Sequence, residues 1–252
     1  MKGVILAAGQ GARLNGGHGD TPKCLVSLGG ESLLSRNIRL LRSAGIDDVV
    51  VVVGYAADQV RRSAADATFV ENEIFARTNS LYSLWLTRAH LCEGFVVMNC
   101  DVLVHPQLLA DLMGTRYEDA LLVDFCESAT QYGDEEMKVQ VRRGCVADIS
   151  KVMSSADADG ENVGLAKFGR DGARVLIEEM DALVAAGEFK AWAPRAFKHF
   201  ARRRPLHVIG TRGLPWIEID FPDDYRRAID VVLPCIDGHV AGMSEERIAR
   251  TA

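Results

Sequence analysis

Uninterrupted apolar runs and segments with a helical apolar period alternate along the first half of the chain. Residues 3–7 (GVILA) and 49–53 (VVVVV) are short apolar runs, which are typical of parallel strands buried on both faces. Between them, Ser32 can cap a helix with apolar positions at helical spacing, and Gly45 would end it. A strand, a helix and a second strand in this order predict a βαβ unit with a right-handed crossover.

The alternation continues beyond this unit and then changes in character after about residue 124. Short strands are predicted at 68–70, 95–98 and 121–123, and helices at 80–91 and 106–113. Later segments predict a hairpin (138–142 and 146–149), a polar loop (157–162), helices (172–186 and 194–201), a strand (216–219) and a helix begun by Pro222. The pattern predicts an α/β fold in which a mixed, mostly parallel sheet is flanked by helices, with a small β-hairpin and helical subregion.

Composition narrows the classes of function and location. The chain has 252 residues, enough for one large domain, and its formal net charge of -6 argues against general binding to nucleic acid or an anionic membrane. The six cysteines form no C-x-x-C pair, and the first apolar run is too short for a signal peptide or a membrane span. We therefore expect a cytoplasmic protein without a cysteine-bound metal.

A glycine-rich loop after the first strand is the strongest sign of chemistry. Gly9 and Gly11 would let backbone N–H groups approach an anion, and Arg13 and Lys23 add cations on the same loop. The dinucleotide-binding pattern is broken because Leu14 replaces its third glycine, and no Gly-Lys-Ser/Thr of a P-loop follows. The loop is predicted to bind a polyphosphate; a simple tight turn is the alternative.

Two carboxylates follow predicted strands far apart in the sequence. Asp101 comes after the strand at 95–98, and Asp220 ends the strand that precedes Pro222. Side chains at the carboxyl ends of strands in α/β sheets face the ligand cleft, although Asp101 could instead only cap a turn. Glu218 has the same side-chain parity as Asp220 and is a weaker candidate.

The motif LAAGQGARL with the downstream Pro22-Lys23 resembles the signature of the nucleoside-triphosphate transferases that make nucleotide sugars and CDP-alcohols. The resemblance extends to about residue 230 and implies a Rossmann-like (GT-A-like) fold and a Mg²⁺ cofactor held by Asp101 and Asp220. It implies that Arg13 binds the outer phosphates and that Lys23 stabilises charge at the α-phosphate. The nucleotide-binding residues it implies are Leu6, Ala7, Ala8, Gly9, Gln10, Gly11, Arg13, Lys23, Asn79, Ser80 and Asp101, where Asn79 or Ser80 could also serve only as a helix cap.

Further segments resemble one branch of that family, the phosphocholine and phosphonate cytidylyltransferases. These segments are TNSLYSLWL (78–86), DEEMKV (134–139), ISK (149–151) and DGENVGLAKF (159–168). The resemblance implies CTP as the donor and a small phosphorylated or phosphonate acceptor as its partner. The candidate acceptor-binding residues are Lys138, Lys151, Trp192, Trp216 and Glu218, although each lysine could face solvent and each tryptophan could belong to the core.

One departure from that branch bears on the acceptor. Members that act on amines carry acidic residues after the aromatic residue near position 192, where this chain has Ala193, Pro194 and Arg195. A hydroxylated or anionic acceptor is therefore predicted over an amine.

The resemblance also implies that two parts of a single domain over 1–235 bind different substrates. Residues 1–124 would bind the nucleotide, 125–235 would bind the acceptor and supply the second metal carboxylate, and 236–252 would form a tail. The oligomeric state stays open between a monomer and a homodimer. Two alternative functions are a sugar-1-phosphate nucleotidyltransferase using UTP, dTTP or GTP, and a nucleotide-binding regulatory subunit without turnover.

Overall fold

The computed structural model describes residues 1–11, 13, 14, 21–125, 133 and 135–238. The strands in these residues are β1 (Lys2–Ala7), β2 (Ser27–Leu28), β3 (Glu31–Ser32), β4 (Val49–Val53), β5 (Thr68–Glu71), β6 (Phe95–Asn99), β7 (Val102–Val104), β8 (Ala120–Asp124), β9 (Lys138–Arg142), β10 (Cys145–Ser150), β11 (Gly160–Phe168), β12 (His207–Gly210) and β13 (Trp216–Glu218). The helices are α1 (Leu33–Ser43), α2 (Ala57–Ser63), α3 (Ser80–Leu86), α4 (Pro106–Gly114), α5 (Arg170–Ala185), α6 (Pro194–Ala201) and α7 (Pro222–Arg227), and α7 continues through a π-helical turn at Ala228–Val232.

Nine of these strands form one mixed sheet, in the order β5-β4-β1-β6-β11-β8-β12-β10-β9. The pairs within β5-β4-β1-β6 are parallel, and so is the pair of β8 and β12. The remaining neighbours are antiparallel, and β9 also pairs with β11 at Gly160 and Glu161. The predicted α/β Rossmann-like mixed sheet is confirmed, with its parallel order concentrated in the first half of the chain.

The apolar strand β1 explains how the sheet is covered on both faces. Alternate residues Val4 and Leu6 belong to one core cluster, which also contains residues of α3, α5 and α6. Ile5 and Ala7 point the other way, into a second cluster with residues of α1 and α4. Because side chains alternate along a strand, a continuous apolar run is what burial on both faces requires.

Helix α1 begins where the sequence predicts. The Ser32 side chain accepts a hydrogen bond from the Ser35 backbone N–H at 3.1 Å, and the helix ends at Ser43, two residues before Gly45. Gly45 has a φ of 79°, a left-handed conformation that favours glycine after a helix.

Two expectations about the secondary structure need correction. The helix expected over 80–91 stops at Leu86, and a short 3-10 turn follows at Arg88–His90. The polar loop expected over 157–162 overlaps β11, which begins at Gly160 and lies between β6 and β8 in the sheet. The sequence of β11 lacks the regular apolar pattern of a strand, because the strand contains buried polar residues and a bulge near Gly164, whose φ is 87°.

The described helices include none that combines the length and the apolar character needed to cross a membrane. The predicted tail over 236–252 falls outside the described residues except at 236–238, which are helical.

Candidate active site

A cleft of about 390 Å³ lies where the carboxyl ends of β1 and β6 meet the turn after β13. It contains residues from both halves of the chain, as expected where parallel strands of an α/β sheet end. Its lining residues include Leu6, Ala8, Gly9, Gly11, Arg13, Lys23, Asn72, Phe75, Thr78, Asn79, Ser80, Ser83, Asp101, Glu135, Lys151, Asn162, Trp192, Glu218 and Asp220.

Lys23 is the buried cation at the centre of this cleft. It begins a 3-10 turn, is 7% exposed, and its ammonium donates to Asp101 Oδ2 at 2.7 Å and to Asp220 Oδ1. Burial alone would lower the pKa of Lys23, but the two carboxylates outweigh it and raise the pKa above its usual value. Gly11, with a φ of 66°, lets the loop pass directly over this side chain, since an added Cβ would lie 2.5 Å from Lys23 Cβ.

Arg13 lies at the outer edge of the same ion network. Its guanidinium donates to Asp220 Oδ2 at 2.8 Å and to Glu135 Oε2 at 2.7 Å. It also lies over the Phe221 ring, 4.9 Å from the centroid. Arg13 and Lys23 therefore share Asp220, although they stand ten positions apart on the loop.

The two predicted metal carboxylates meet because strands β7 and β13 pair. Asp101 lies in the turn between β6 and β7, and the Ile219 backbone N–H donates to its carbonyl at 3.0 Å. This bond places Asp220, the next residue, beside Asp101. Glu218 joins them, so that one oxygen from each of the three carboxylates lies within 4.8 Å of the others.

The charge states of this group follow from burial and proximity. Burial and the neighbouring Asp101 and Asp220 charges raise the pKa of Glu218 to about 8. Burial would also raise the pKa of Asp220, but the Lys23 and Arg13 charges overcome it and the pKa lies below its usual value. Asp101 Oδ1 is buried and has no hydrogen-bond partner in the described protein.

The loop after β1 and the start of α3 also contribute to the cleft lining. Asn79 Oδ1 accepts from the Ser80 N–H at 2.8 Å and so caps α3, while Ser80 Oγ accepts from the Ala193 N–H at 2.8 Å. Both Asn79 and Ser80 line the cleft, as Leu6, Ala8, Gly9 and Gly11 do. Ala7 and Gln10 do not, because Ala7 points into the core beneath the sheet and Gln10 is exposed.

The candidate acceptor residues separate into two groups. Lys151 lines the cleft, with its ammonium 4.7 Å from the centroid of the Trp192 ring and 3.4 Å from Glu135 Oε2. Lys138 lies outside the cleft lining, since it is 2% exposed and donates to the Lys151 carbonyl at 3.0 Å. Trp216 is also outside it and packs against the second core cluster from β13.

Sequence reasoning gave no role to several polar residues of this cleft, among them Asn72, Glu135 and Asn162. Glu135 accepts from Arg13 and Lys151 through the same oxygen, and therefore links the glycine loop to Lys151. Its neighbours in the sequence give no sign of this position, because the contact with Arg13 spans 122 positions.

Cations on a glycine loop that face carboxylates at the ends of strands can together bind a polyphosphate and a divalent metal ion. Comparison with known proteins identifies the family. The chain belongs to the MobA-like NTP transferase domain family, which it matches over residues 3–188. The predicted nucleotidyltransferase class is thereby confirmed.

Individual relatives are similar over nearly the whole chain. A choline-phosphate cytidylyltransferase from Streptococcus pneumoniae is 27% identical over 92% of this chain and 98% of its own length. A CTP:phosphoglutamine cytidylyltransferase from Campylobacter jejuni is 23% identical over 91% of this chain and 100% of its own length. A CMP-5'-(3-aminopropyl)phosphonate synthase from Streptomyces rubellomurinus is 31% identical over 90% of this chain, which spans 38% of that longer protein.

Solved structures agree on the fold. The structure of the CTP:phosphocholine cytidylyltransferase from Streptococcus pneumoniae matches with a TM-score of 0.75 at 24% identity, over 91% of this chain and 98% of that chain. The resemblance to the cytidylyltransferase branch of the family is confirmed by these relatives.

Proposed function

We propose that this chain is a Mg²⁺-dependent cytidylyltransferase, which joins CMP from CTP to a small phosphonate or phospho-alcohol and releases pyrophosphate. The observation that carries the proposal is the buried Lys23 ammonium, paired with Asp101 and Asp220 at the end of the glycine loop. The named activities of the similar proteins support CTP as the donor.

The residues present fit a magnesium ion. Mg²⁺ prefers oxygen ligands and is commonly held by one or two carboxylates together with substrate phosphates. Asp101 and Asp220 would hold it, and Asp101 Oδ1 is a buried carboxylate oxygen that lacks a protein partner. When bound, the ion would neutralise charge on the phosphates and on the attacking oxygen.

The chain's own side chains would bind and orient the reactants. Gly9, Gly11 and Arg13 line the edge of the cleft where backbone N–H groups and a guanidinium can meet the two outer phosphates. Lys23 lies deeper and would stabilise charge at the α-phosphate. An oxygen of the acceptor's phosphate or phosphonate forms a bond to the α-phosphorus while the bond to the leaving pyrophosphate breaks.

No side chain is needed as a general base, because an ionised phosphate or phosphonate oxygen is already a nucleophile. Positioning and charge neutralisation would therefore supply most of the rate acceleration. Residues 1–124 would form the nucleotide side and 125–235 the acceptor side, within one domain.

The acceptor side favours an acceptor without an ammonium group. The Lys151 ammonium already lies against the Trp192 ring, the surface on which a substrate cation would otherwise be stabilised. A substrate ammonium there would meet a like charge, whereas a hydroxyl or an anion would not. We therefore propose that a hydroxyalkyl phosphonate or phosphate is used in preference to phosphocholine or 2-aminoethylphosphonate.

Pyrophosphate release across CTP, UTP, dTTP, GTP and ATP, with a panel of acceptors, tests the proposal. CTP with a hydroxyalkyl phosphonate or phosphate should give the highest kcat/KM. A preference for a hexose 1-phosphate with UTP, dTTP or GTP would favour a sugar-1-phosphate nucleotidyltransferase. Nucleotide binding without turnover under any condition would favour a regulatory subunit.

A further inference from the structure

Asn37 is a buried amide in the middle of helix α1. It is 1% exposed, and its neighbours Leu34, Ile38 and Leu41 on the same helix belong to the second core cluster. Asparagine is a weaker helix former than leucine, and burying an amide costs free energy unless the amide is hydrogen-bonded. An asparagine on this apolar face therefore needs a hydrogen-bond partner in the segment that α1 packs against.

That partner is the backbone next to a predicted metal carboxylate. Asn37 Nδ2 donates to the Cys100 carbonyl at 3.2 Å. An amide rotated by 180° would set its oxygen against the carbonyl oxygen, so the orientation is fixed by this bond. The Cys100 carbonyl belongs to the peptide unit that joins Cys100 to Asp101, in the turn between β6 and β7. Asn37 thus holds the peptide unit that leads into Asp101.

Two backbone bonds hold the same turn. The Cys100 N–H donates to the Leu6 carbonyl at 3.3 Å, and the Ile219 N–H donates to the Asp101 carbonyl at 3.0 Å. Of these three bonds, the one from Asn37 is made by a side chain. A substitution at position 37 therefore releases one of the points that fix the turn and leaves the two backbone bonds in place.

Helix α1 also holds the segment that carries the central cation. The Leu33 N–H donates to the Val26 carbonyl at 3.1 Å, just after the 3-10 turn that begins at Lys23. One helix therefore fixes both Lys23 and Asp101, whose side chains meet at 2.7 Å through Asp101 Oδ2. Asp101 Oδ1 has no partner in the described protein, so its direction depends on where the turn is held.

We propose that Asn37 is a positioning residue, which directs the Asp101 carboxylate towards the metal ion. The inference rests on the proposed function, since it takes Asp101 as a ligand of Mg²⁺. Asn37 is outside the cleft lining and would act through Asp101, without touching a substrate. Groups that orient metal ligands in this way typically change metal affinity or activity by about 10–100-fold when they are removed.

Asn37→Leu tests this, because leucine keeps the branched shape and the burial but cannot donate a hydrogen bond. The measurement is calorimetric titration of the whole protein with CTP, in Mg²⁺ and in EDTA, without an acceptor. The gain in CTP affinity that Mg²⁺ confers should fall by about tenfold or more, while the dissociation constant in EDTA stays near that of the wild type. A residue that only supports the fold would weaken CTP binding equally in both buffers.

Two further variants separate positioning from loss of stability. Thr87→Val is the matched control, because it removes a buried hydroxyl outside the cleft lining that donates to the Leu84 carbonyl at 2.6 Å. Its gain from Mg²⁺ should equal that of the wild type even though its Tm falls. In an Asp101→Asn background, Asn37→Leu should cause no additional loss of the gain, because its effect passes through Asp101.

An unchanged gain from Mg²⁺ in Asn37→Leu overturns the inference, and so does an equal additional loss in the Asp101→Asn background. A wild-type protein that binds CTP equally well in Mg²⁺ and EDTA overturns it together with the metal assignment. If Asn37→Leu does not fold, the same ratio in Asn37→Ala decides. Absence of pyrophosphate release with every acceptor, while Asn37→Leu still loses the gain from Mg²⁺, would reject the proposed function and leave the positioning role standing.

Discussion

Lys23→Met removes the central cation of the cleft while keeping an apolar side chain of similar length. The Lys23 ammonium is the shared partner of Asp101 and Asp220, whose side chains are each 19% exposed. Removing one partner of a buried ion pair costs roughly 3–5 kcal/mol, since the remaining charges stay uncompensated. Arg13 still neutralises one oxygen of Asp220, which favours the lower end of that range.

For a domain of this size, such a loss corresponds to a fall in Tm of roughly 6–20 °C. Urea denaturation and calorimetry at pH 7 in EDTA would measure it. The double variant Lys23→Met with Asp220→Asn should recover part of the loss, because it removes one of the uncompensated carboxylates.

The pH dependence gives an independent check. The pKa of Asp220 is lowered in the folded protein, so its pairing stabilises the fold above the unfolded pKa of about 3.9. That contribution disappears as the pH falls through the folded value, and the gap between wild type and Lys23→Met should narrow on acidification. A variant within about 1 kcal/mol of wild type at pH 7 in EDTA would refute the electrostatic account of this cleft.

Three further predictions concern individual side chains. Asp101→Asn should reduce turnover by orders of magnitude, and its Tm in EDTA should fall by less than that of Lys23→Met, because Asp220 still pairs with Lys23. Near-wild-type activity in Mg²⁺ would reject Asp101 as a metal ligand. Lys23→Ala should lower kcat more than it lowers the affinity for the nucleotide, and Arg13→Ala should lower the affinity more than kcat. If both variants weaken binding equally and leave kcat unchanged, these separate roles of Lys23 and Arg13 are wrong. Burial and the nearby Glu136 and Asp124 charges raise the pKa of Glu161 in the folded protein to about 7, although the Lys138 and Lys151 charges oppose this shift. The free energy of unfolding therefore falls as the pH rises from the pKa of Glu161 in the unfolded chain towards 7. Glu161→Gln should therefore be more stable than wild type at pH 8 and no more stable at pH 4; melting curves of both proteins at the two pH values would test this.

The glycine loop and the first strands could be predicted from the sequence because their signals are local. The apolar run of β4 and the cap at Ser32 each need only a few neighbouring residues to be recognised. The same holds for Lys23 and Asp101, which follow a Gly-rich turn and a strand end. The resemblance gave Lys23 a role at the α-phosphate and Asp101 a role in holding the metal, whereas the 2.7 Å contact between them is a product of the fold.

Other features depend on which segments pack together. Lys138 and Lys151 look alike in the sequence, but the strand pairing turns Lys138 inward and leaves Lys151 beside Trp192 in the cleft. The alternation of a strand tells which residues share a face, and not which face the rest of the protein covers.

The sequence by itself thus determined the α/β pattern, the family and the principal charged residues. The tertiary structure decided the place of Glu135, which has no distinctive local motif. Glu135 bridges two cations from distant segments, Arg13 and Lys151, through one carboxylate oxygen. Hydrogen bonds and ion pairs form between atoms that the fold brings within about 3 Å of each other. The separation of two residues along the chain does not determine that distance in space.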